Sequence, residues 1–150
     1  KVEDLLEEII ISFKETSAVK INLISDEDKN KISIKRAPEL VYGLRNFIGN
    51  AVKFSKSRVK IVLRSDAEII EIKINDDGPG IPEDIIQKIG EPYIKSKSKE
   101  LSSNSGLGLG TFLGKTLLER KNAKLLFKKK GELGGALILI KWSPKDFTSV

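Results

Sequence analysis

The order in which predicted strands and helices follow one another limits the fold more than any other feature of the sequence. Segments that alternate apolar and polar residues, or that are rich in Val and Ile, predict strands at 20–25, 31–35, 58–64, 68–75, 124–128 and 136–142. Apolar residues at helical spacing predict helices at 2–15, 38–54, 82–90 and 107–120. The strands come in consecutive pairs, the first of them a hairpin. This order favours an α/β (α+β) fold, a two-layer sandwich with helices on one face of a mixed, mainly antiparallel sheet.

The chain has the length of one domain and shows neither an internal repeat nor an interdomain linker. Its 150 residues are enough for a substantial core. We expect an N-terminal helical segment at 1–15, a folded domain at 16–143 and a frayed tail at 144–150. The sequence starts at Lys1 and contains no Met. It is therefore expected to be a piece of a longer protein.

Composition narrows the chemistry that is open to the chain. It contains no His and no Cys, which removes disulfides, thiolate and imidazole metal ligands, thiol nucleophiles and the most usual general base. Any catalysis must use carboxylates, amides, lysines and backbone groups. The net charge of +6 is compatible with a polyphosphate ligand, a nucleic-acid surface or a solvated lysine-rich face.

The predicted helix 38–54 carries two amides and an ammonium on one stripe. Asn46, Asn50 and Lys53 are spaced i, i+4, i+7, which places them within roughly 60° of one another beside the apolar stripe. An Asn carbonyl oxygen suits Mg²⁺, and a lysine suits phosphate. Taken alone, the stripe is equally typical of a solvated helix face.

An acidic, glycine-rich turn follows the predicted strand 68–75. Asp76 is followed by Gly78, Gly80 and Ile81. The glycines allow a backbone to approach a ligand closely, and a buried carboxylate could accept a hydrogen bond from an exocyclic amine and so distinguish adenine from guanine. The same residue types are also common in ordinary turns.

Three alternating glycines stand at the start of the last predicted helix. They are Gly106, Gly108 and Gly110, in a segment that continues through Thr111. Backbone N–H groups at such a helix start can hold phosphate. The segment is not a P-loop, because no Lys-Ser/Thr pair follows, and it lacks the dinucleotide-binding Gly-x-Gly-x-x-Gly spacing.

Together these three motifs resemble those of the catalytic and ATP-binding domain of sensor histidine kinases, in the superfamily that includes gyrase, Hsp90 and MutL. Residues 46–54 resemble the N box, 76–80 the G1 box, 106–110 the G2 box, 91–93 the F box and 134–136 the last glycine motif. Residues 38–44, 90–93 and 115–120 are similar to the RegB/PrrB group of redox-responsive kinases.

The resemblance implies roles for individual residues. Asn50 would coordinate Mg²⁺ with help from Asn46, Lys53 would meet phosphate, and either Lys95 or Lys97 would lie near the γ-phosphate. Asp76 would bind the adenine amino group, Gly78 and Gly80 would admit the base, and Gly106, Gly108 and Gly110 would wrap the phosphates. Further nucleotide contacts would come from Phe54, Ile81, Tyr93, Leu107, Leu109 and Thr111. Residues 93–105 would form an ATP lid that phosphate contacts order.

The identity of residue 46 indicates which reaction such a site would perform. Gyrase-, Hsp90- and MutL-type members carry a water-activating Glu there, whereas Asn46 has no basicity to offer as a general base. This favours transfer of the γ-phosphoryl group of Mg-ATP to an imidazole over hydrolysis. The chain itself has no His, so we expect nucleotide binding without autophosphorylation.

The resemblance also implies the setting of the domain. The acceptor His would lie on a separate dimerisation domain, joined near residues 1–15, and a response regulator would act downstream. The domain would be cytoplasmic and monomeric by itself, in a membrane-anchored parent that is a homodimer.

Three alternatives remain at this point: a stand-alone ATPase, a degenerate nucleotide-sensing domain and a basic nucleic-acid binder. The chain has one Trp, two Tyr and six Phe, and they form no basic-aromatic groove of the kind that single-strand binders use. We therefore expect no nucleic-acid partner.

Overall fold

The computed structural model describes residues 2–25, 37–65, 69–80 and 106–143, the last range with backbone alone for 106–112. Five features predicted above lie outside these residues. They are the second strand of the first hairpin (31–35), the helix 82–90, the F-box segment 91–93, the lid 93–105 and the tail 144–150.

The described elements agree with the predicted ones to within two residues at each end. The helices are α1 (Val2–Lys14), α2 (Pro38–Phe54) and α3 (Gly106–Glu119). The strands are β1 (Lys20–Ser25), β2 (Arg58–Ser65), β3 (Ile70–Asp76), β4 (Lys124–Lys128) and β5 (Leu137–Trp142). None of the helices in this part of the chain combines the length and the apolar composition needed to cross a bilayer.

The five described strands form one mixed sheet in the order β1-β2-β3-β5-β4. β1 runs parallel to β2, and the other three neighbouring pairs are antiparallel. The parallel pair needs a crossover between its strands, and α2 lies in that connection. The prediction of a mixed, mainly antiparallel sheet is confirmed.

One face of this sheet forms the core. The register places Ile61 opposite Ile74, and Ile72 opposite both Leu63 and Ile140, so that their side chains share a face. All three helices contribute buried side chains to the same core, which puts the helical layer on this face. The helix residues buried there include Leu5, Leu6, Ile9, Leu44, Phe47, Ile48 and Leu118.

Two glycines set how closely α2 and α3 pack. A Cβ on Gly43 would lie 2.6 Å from Cγ of Leu118, and a Cβ on Gly114 would lie 3.0 Å from a ring carbon of Phe47 and 3.3 Å from Cβ of Asn46. These contacts pair the start of α2 with the end of α3, so the helices cross in antiparallel directions. The first turn of α3 is therefore directed towards the second half of α2.

Candidate functional site

The polar stripe of α2 lies beside its buried apolar stripe, and Asn46 approaches α3. Pro38 occupies the first turn, where its fixed φ suits a helix start. Asn46 and Asn50 are half-buried, and Lys53 is exposed in the last turn. The ammonium group of Lys53 lies 5.7 Å from the ring centroid of Phe54. The stripe thus presents amide oxygens and one cation beside the end of the helix.

Asp76 ends β3 and is held from two directions by backbone groups. Its Oδ1 accepts hydrogen bonds from the N–H of Gly78 at 2.8 Å and of Ala136 at 3.3 Å. Its own N–H donates to the carbonyl of Ala136 at 3.2 Å, and its carbonyl accepts from Gly135 N–H at 3.0 Å. Gly135 packs so closely that a Cβ there would collide with the carboxylate. Both hydrogen bonds that the Asp76 side chain accepts from the described residues end on Oδ1.

The environment of this carboxylate is unusual for an acid. Only 6% of the Asp76 residue surface is exposed. Burial raises the pKa of Asp76, the hydrogen bonds from Gly78 and Ala136 oppose that increase, and the nearby charge of Asp77 adds to it. A desolvated carboxylate of this kind gains from a ligand donor that replaces its lost hydration.

Gly78 and Gly80 in the turn are each required for a different structural reason. A Cβ on Gly78 would collide with the carbonyl oxygen of Phe54, the last residue of α2. Gly80 has φ +85°, and a Cβ there would lie 2.7 Å from the carbonyl oxygen of Lys129. The turn is therefore packed directly against the end of α2 on one side and the β4–β5 connection on the other.

The first turn of α3 supplies backbone donors. The helix begins at Gly106, and Gly108 and Gly110 lie within it. The first four N–H groups of a helix have no partner inside it, and they carry the positive end of the helix dipole. In the antiparallel crossing of α2 and α3, one turn back from Gly114 brings Gly110 towards Asn50. A second turn brings the helix start at Gly106 towards the end of α2.

The structure thus brings some of the predicted site residues together. The α2 stripe, the turn 76–80 and the start of α3 come from three separate stretches of sequence. Ile81, Tyr93, Lys95 and Lys97 lie outside the described residues. For Leu107, Leu109 and Thr111 the description is limited to the backbone.

Residues 134–136 resemble the last glycine motif, but the sequence did not predict that their backbone encloses Asp76. Gly135 and Ala136 bind Asp76 from 59 and 60 positions away. Asp77 was also missed, although it follows Asp76 directly.

A model of the family described as "Histidine kinase-, DNA gyrase B-, and HSP90-like ATPase" matches residues 35–144. The sensor histidine kinase RegB of Cereibacter sphaeroides is 38% identical over 130 residues, which cover 77% of this chain and 28% of RegB. The chain therefore spans well under half the length of this relative.

Solved structures agree at the level of the fold. The catalytic domain of histidine kinase ThkA superposes with a TM-score of 0.76 at 19% identity, covering 95% of this chain and 94% of that one. Full-length ShkA, solved in complex with AMPPNP, gives a TM-score of 0.74 at 23% identity, covering 96% of this chain and 30% of ShkA. The resemblance inferred from the three motifs is confirmed: the chain belongs to the histidine kinase-, DNA gyrase B- and HSP90-like ATPase family.

Proposed function

We propose that this chain binds Mg-ATP between α2, the turn 76–80 and the start of α3, and donates the γ-phosphoryl group to a His on a separate domain. The observation that carries the proposal is the buried carboxylate of Asp76, which keeps Oδ2 for a donor within a frame of backbone hydrogen bonds. Family membership supports nucleotide as the ligand.

Asp76 gives this site its preference for adenine. The exocyclic amine of adenine donates a hydrogen bond, and Oδ2 can accept it. Guanine presents a carbonyl oxygen at the corresponding place, which would face a carboxylate without a hydrogen bond. Gly78 and Gly80 would admit the base because they add no side chain to the turn.

The α2 stripe suits a hard cation that is coordinated mostly by phosphate and water and by few protein groups. The described residues contain no cluster of three or more His, Cys, Asp or Glu side chains that could hold a metal by themselves. Mg²⁺ is commonly bound by one or two protein oxygens together with phosphate oxygens and water, and the amide oxygen of Asn50 is such a ligand. Bound there with ATP, Mg²⁺ would neutralise phosphate charge.

The remaining groups position the triphosphate. The N–H groups of the first turn of α3 and the ammonium of Lys53 supply donors and positive charge, and phosphoryl transfer depends mainly on positioning and charge neutralisation. Asn46 stands beside Asn50 on the stripe and cannot remove a proton from water. Ile81, Tyr93, Lys95 and Lys97 complete the proposed nucleotide contacts.

The acceptor and the downstream partner belong to the wider proposal. Since the chain has no His, the acceptor would lie on a His-bearing dimerisation domain, joined through the segment 1–15 to the catalytic domain at 16–143. A response regulator would then receive the phosphoryl group. We place the domain in the cytoplasm as a monomer, within a dimeric, membrane-anchored parent.

The test is to incubate this chain with Mg-ATP labelled at the γ-phosphate, with and without a separately supplied His-bearing dimerisation domain. Label on that domain only when this chain is present is the expected result. Asn50→Asp, which changes charge and geometry at the proposed Mg²⁺ ligand, is the matched inactive control. Steady phosphate release by the chain alone, with no label on the acceptor, would contradict the kinase proposal and support a stand-alone ATPase.

A further inference from the structure

Asp77 ties the turn of the proposed site to the chain that leaves α2. Its Oδ1 accepts three backbone hydrogen bonds, from Lys56 at 2.8 Å, Ser57 at 3.0 Å and Arg58 at 3.1 Å. Its Oδ2 accepts the hydroxyl of Ser57 at 2.7 Å. The N–H of Asp77 donates to the carbonyl of Arg58 at 3.2 Å. One side chain thus collects four donors from three consecutive residues.

The position of residues 56–58 in the fold indicates what the hydrogen bonds to Asp77 connect. α2 ends at Phe54 and β2 begins at Arg58, so residues 56–58 span the short connection from the helix that carries Asn50 and Lys53 into β2. Asp77 also lies directly between Asp76 and Gly78. The close approach of Gly78 to the carbonyl oxygen of Phe54 reinforces the same junction.

The carboxylate of Asp77 binds other parts of the protein through both of its oxygens. Both of its oxygens already accept hydrogen bonds from residues 56–58. These hydrogen bonds lower the pKa of Asp77 well below its usual range and outweigh the opposing effect of partial burial. Asp77 therefore holds two protein segments together rather than offering its charge to a ligand.

We propose that Asp77 is a positioning residue that fixes the base-binding turn relative to the phosphate-binding helix α2. It thereby sets the affinity for ligands that span both ends of the site. The inference rests on the proposed function, because it takes the turn and the helix as the two ends of one ATP site. A ligand that occupies only the base end does not depend on this distance, whereas Mg-ATP does.

The experiment compares two ligands in the wild type, Asp77→Ala and Asp77→Asn. Mg-ATP is titrated by calorimetry, and adenosine by the chemical-shift changes of backbone amides. In Asp77→Ala, the affinity for Mg-ATP is expected to fall on the order of tenfold, with a much smaller change for adenosine. The asparagine keeps an oxygen for the three N–H donors, so Asp77→Asn is expected to restore most of the Mg-ATP affinity.

The asparagine variant separates geometry from charge. Both substitutions remove the negative charge beside Asp76, but only the alanine removes the acceptor. Equal losses in the two variants would show that charge matters and would overturn the positioning role. Glu71→Ala is the control for lost stability: it removes a carboxylate on the same strand that lies within 3.6 Å of Lys73 and 3.9 Å of Lys141, away from the site. Its ratio of the two affinities is expected to stay at the wild-type value.

A further variant keeps the test decisive if Asp77→Ala does not fold. Ser57→Ala removes only the hydroxyl that donates to Oδ2, and a loss of Mg-ATP affinity that exceeds the loss for adenosine supports the proposal. Equal loss of both ligands in Asp77→Ala or Ser57→Ala overturns it. If the wild-type chain does not bind Mg-ATP, the proposed function and this inference are both overturned. If the wild type binds normally and the ratio of the two affinities is unchanged in the variants, the inference alone is overturned.

Discussion

The two ends of the proposed nucleotide site are built in different ways. At the base end, the carboxylate of Asp76 is buried and framed by backbone N–H groups from its own turn and from the β4–β5 connection. At the phosphate end, half-buried and exposed side chains of α2 face the start of α3. The fold itself therefore holds the base end, whereas the phosphate end offers mainly side chains that would interact with phosphate and metal. Substitutions that crowd the backbone of the base end should affect folding and binding together, and those at the phosphate end should affect function much more than folding.

The largest effect is expected from Gly78→Ala, which tests whether the base end is part of the folded framework. Its Cβ would collide with the carbonyl oxygen of Phe54, a backbone atom at the end of α2 that cannot move aside cheaply. The free energy of unfolding, measured by urea denaturation, should fall by about 3 kcal/mol. Gly134→Ala is the control, because nothing lies within 4 Å of its Cβ position and only its φ of +88° opposes the change. A loss in Gly78→Ala no greater than in this control would contradict the framework role.

The next effect is expected at the phosphate end. Asn50→Asp should abolish phosphoryl transfer to a supplied His-bearing domain, since it adds a charge and alters the geometry at the proposed Mg²⁺ ligand. Asn50 is half-buried rather than part of the core, so the free energy of unfolding should fall by only about 1 kcal/mol, less than for Gly78→Ala. Parallel transfer assays and urea denaturation separate the two quantities. A variant that transfers phosphate normally would remove Asn50 from the metal site.

Asp76→Asn tests the base end without disturbing its shape. The amide keeps Oδ1 as an acceptor for Gly78 and Ala136 but presents an amide donor towards the adenine amine if Oδ1 keeps its place. The affinity for Mg-ATP in calorimetry should fall by at least about tenfold. Normal affinity would refute the adenine assignment.

The same substitution should not destabilise the unliganded protein. Because burial raises the pKa of Asp76 in the folded state, its carboxyl group favours folding when protonated, and that contribution is lost as the pH rises through the folded-state pKa. At pH 7 the free energy of unfolding of Asp76→Asn should therefore equal or exceed that of the wild type. A marked loss of stability would mean that the ionised carboxylate itself holds the fold.

The smallest expected effect is on the pH dependence of stability, which should differ between Asp76 and Asp77. The pKa of Asp77 is lowered in the folded state by its hydrogen bonds, so its stabilising contribution is present above the ordinary value of 3.8 and is lost as the pH falls below it. The stability advantage of the wild type over Asp77→Asn should thus shrink as the pH is lowered from 6 towards 3. Urea denaturation across this range measures it. An advantage that does not depend on pH would show that the charge of Asp77 contributes nothing.

Much of the fold could be predicted because its signals are local. The apolar stripe of α2, with Pro38 at its start, placed that helix at the residues where the structure has it. The parallel pairing of β1 with β2 was not predicted, since the alternation within a strand indicates which face is buried but does not name its partner. Gly43 and Gly114 were likewise overlooked, because a glycine inside a helix carries no signal about the helix that packs against it.

The sequence by itself determined which chemical groups this domain possesses. The tertiary structure decided which of them acquire shifted pKa values and distant hydrogen-bond partners. Residue types and spacings placed amides and a lysine on one helix stripe, an acid before a glycine turn, and glycines at a helix start, because helical periodicity and turn chemistry depend on neighbours along the chain. Burial raises the pKa of Asp76 against the hydrogen bonds from Gly78 and Ala136. Hydrogen bonds from residues 56–58, in contrast, lower the pKa of Asp77. The hydrogen-bond partners of both carboxylates are mostly backbone N–H groups. Every residue except proline has such a group, so no pattern of side chains predicts which of them will bind a given carboxylate. Only the folded chain brings them to the two carboxylates.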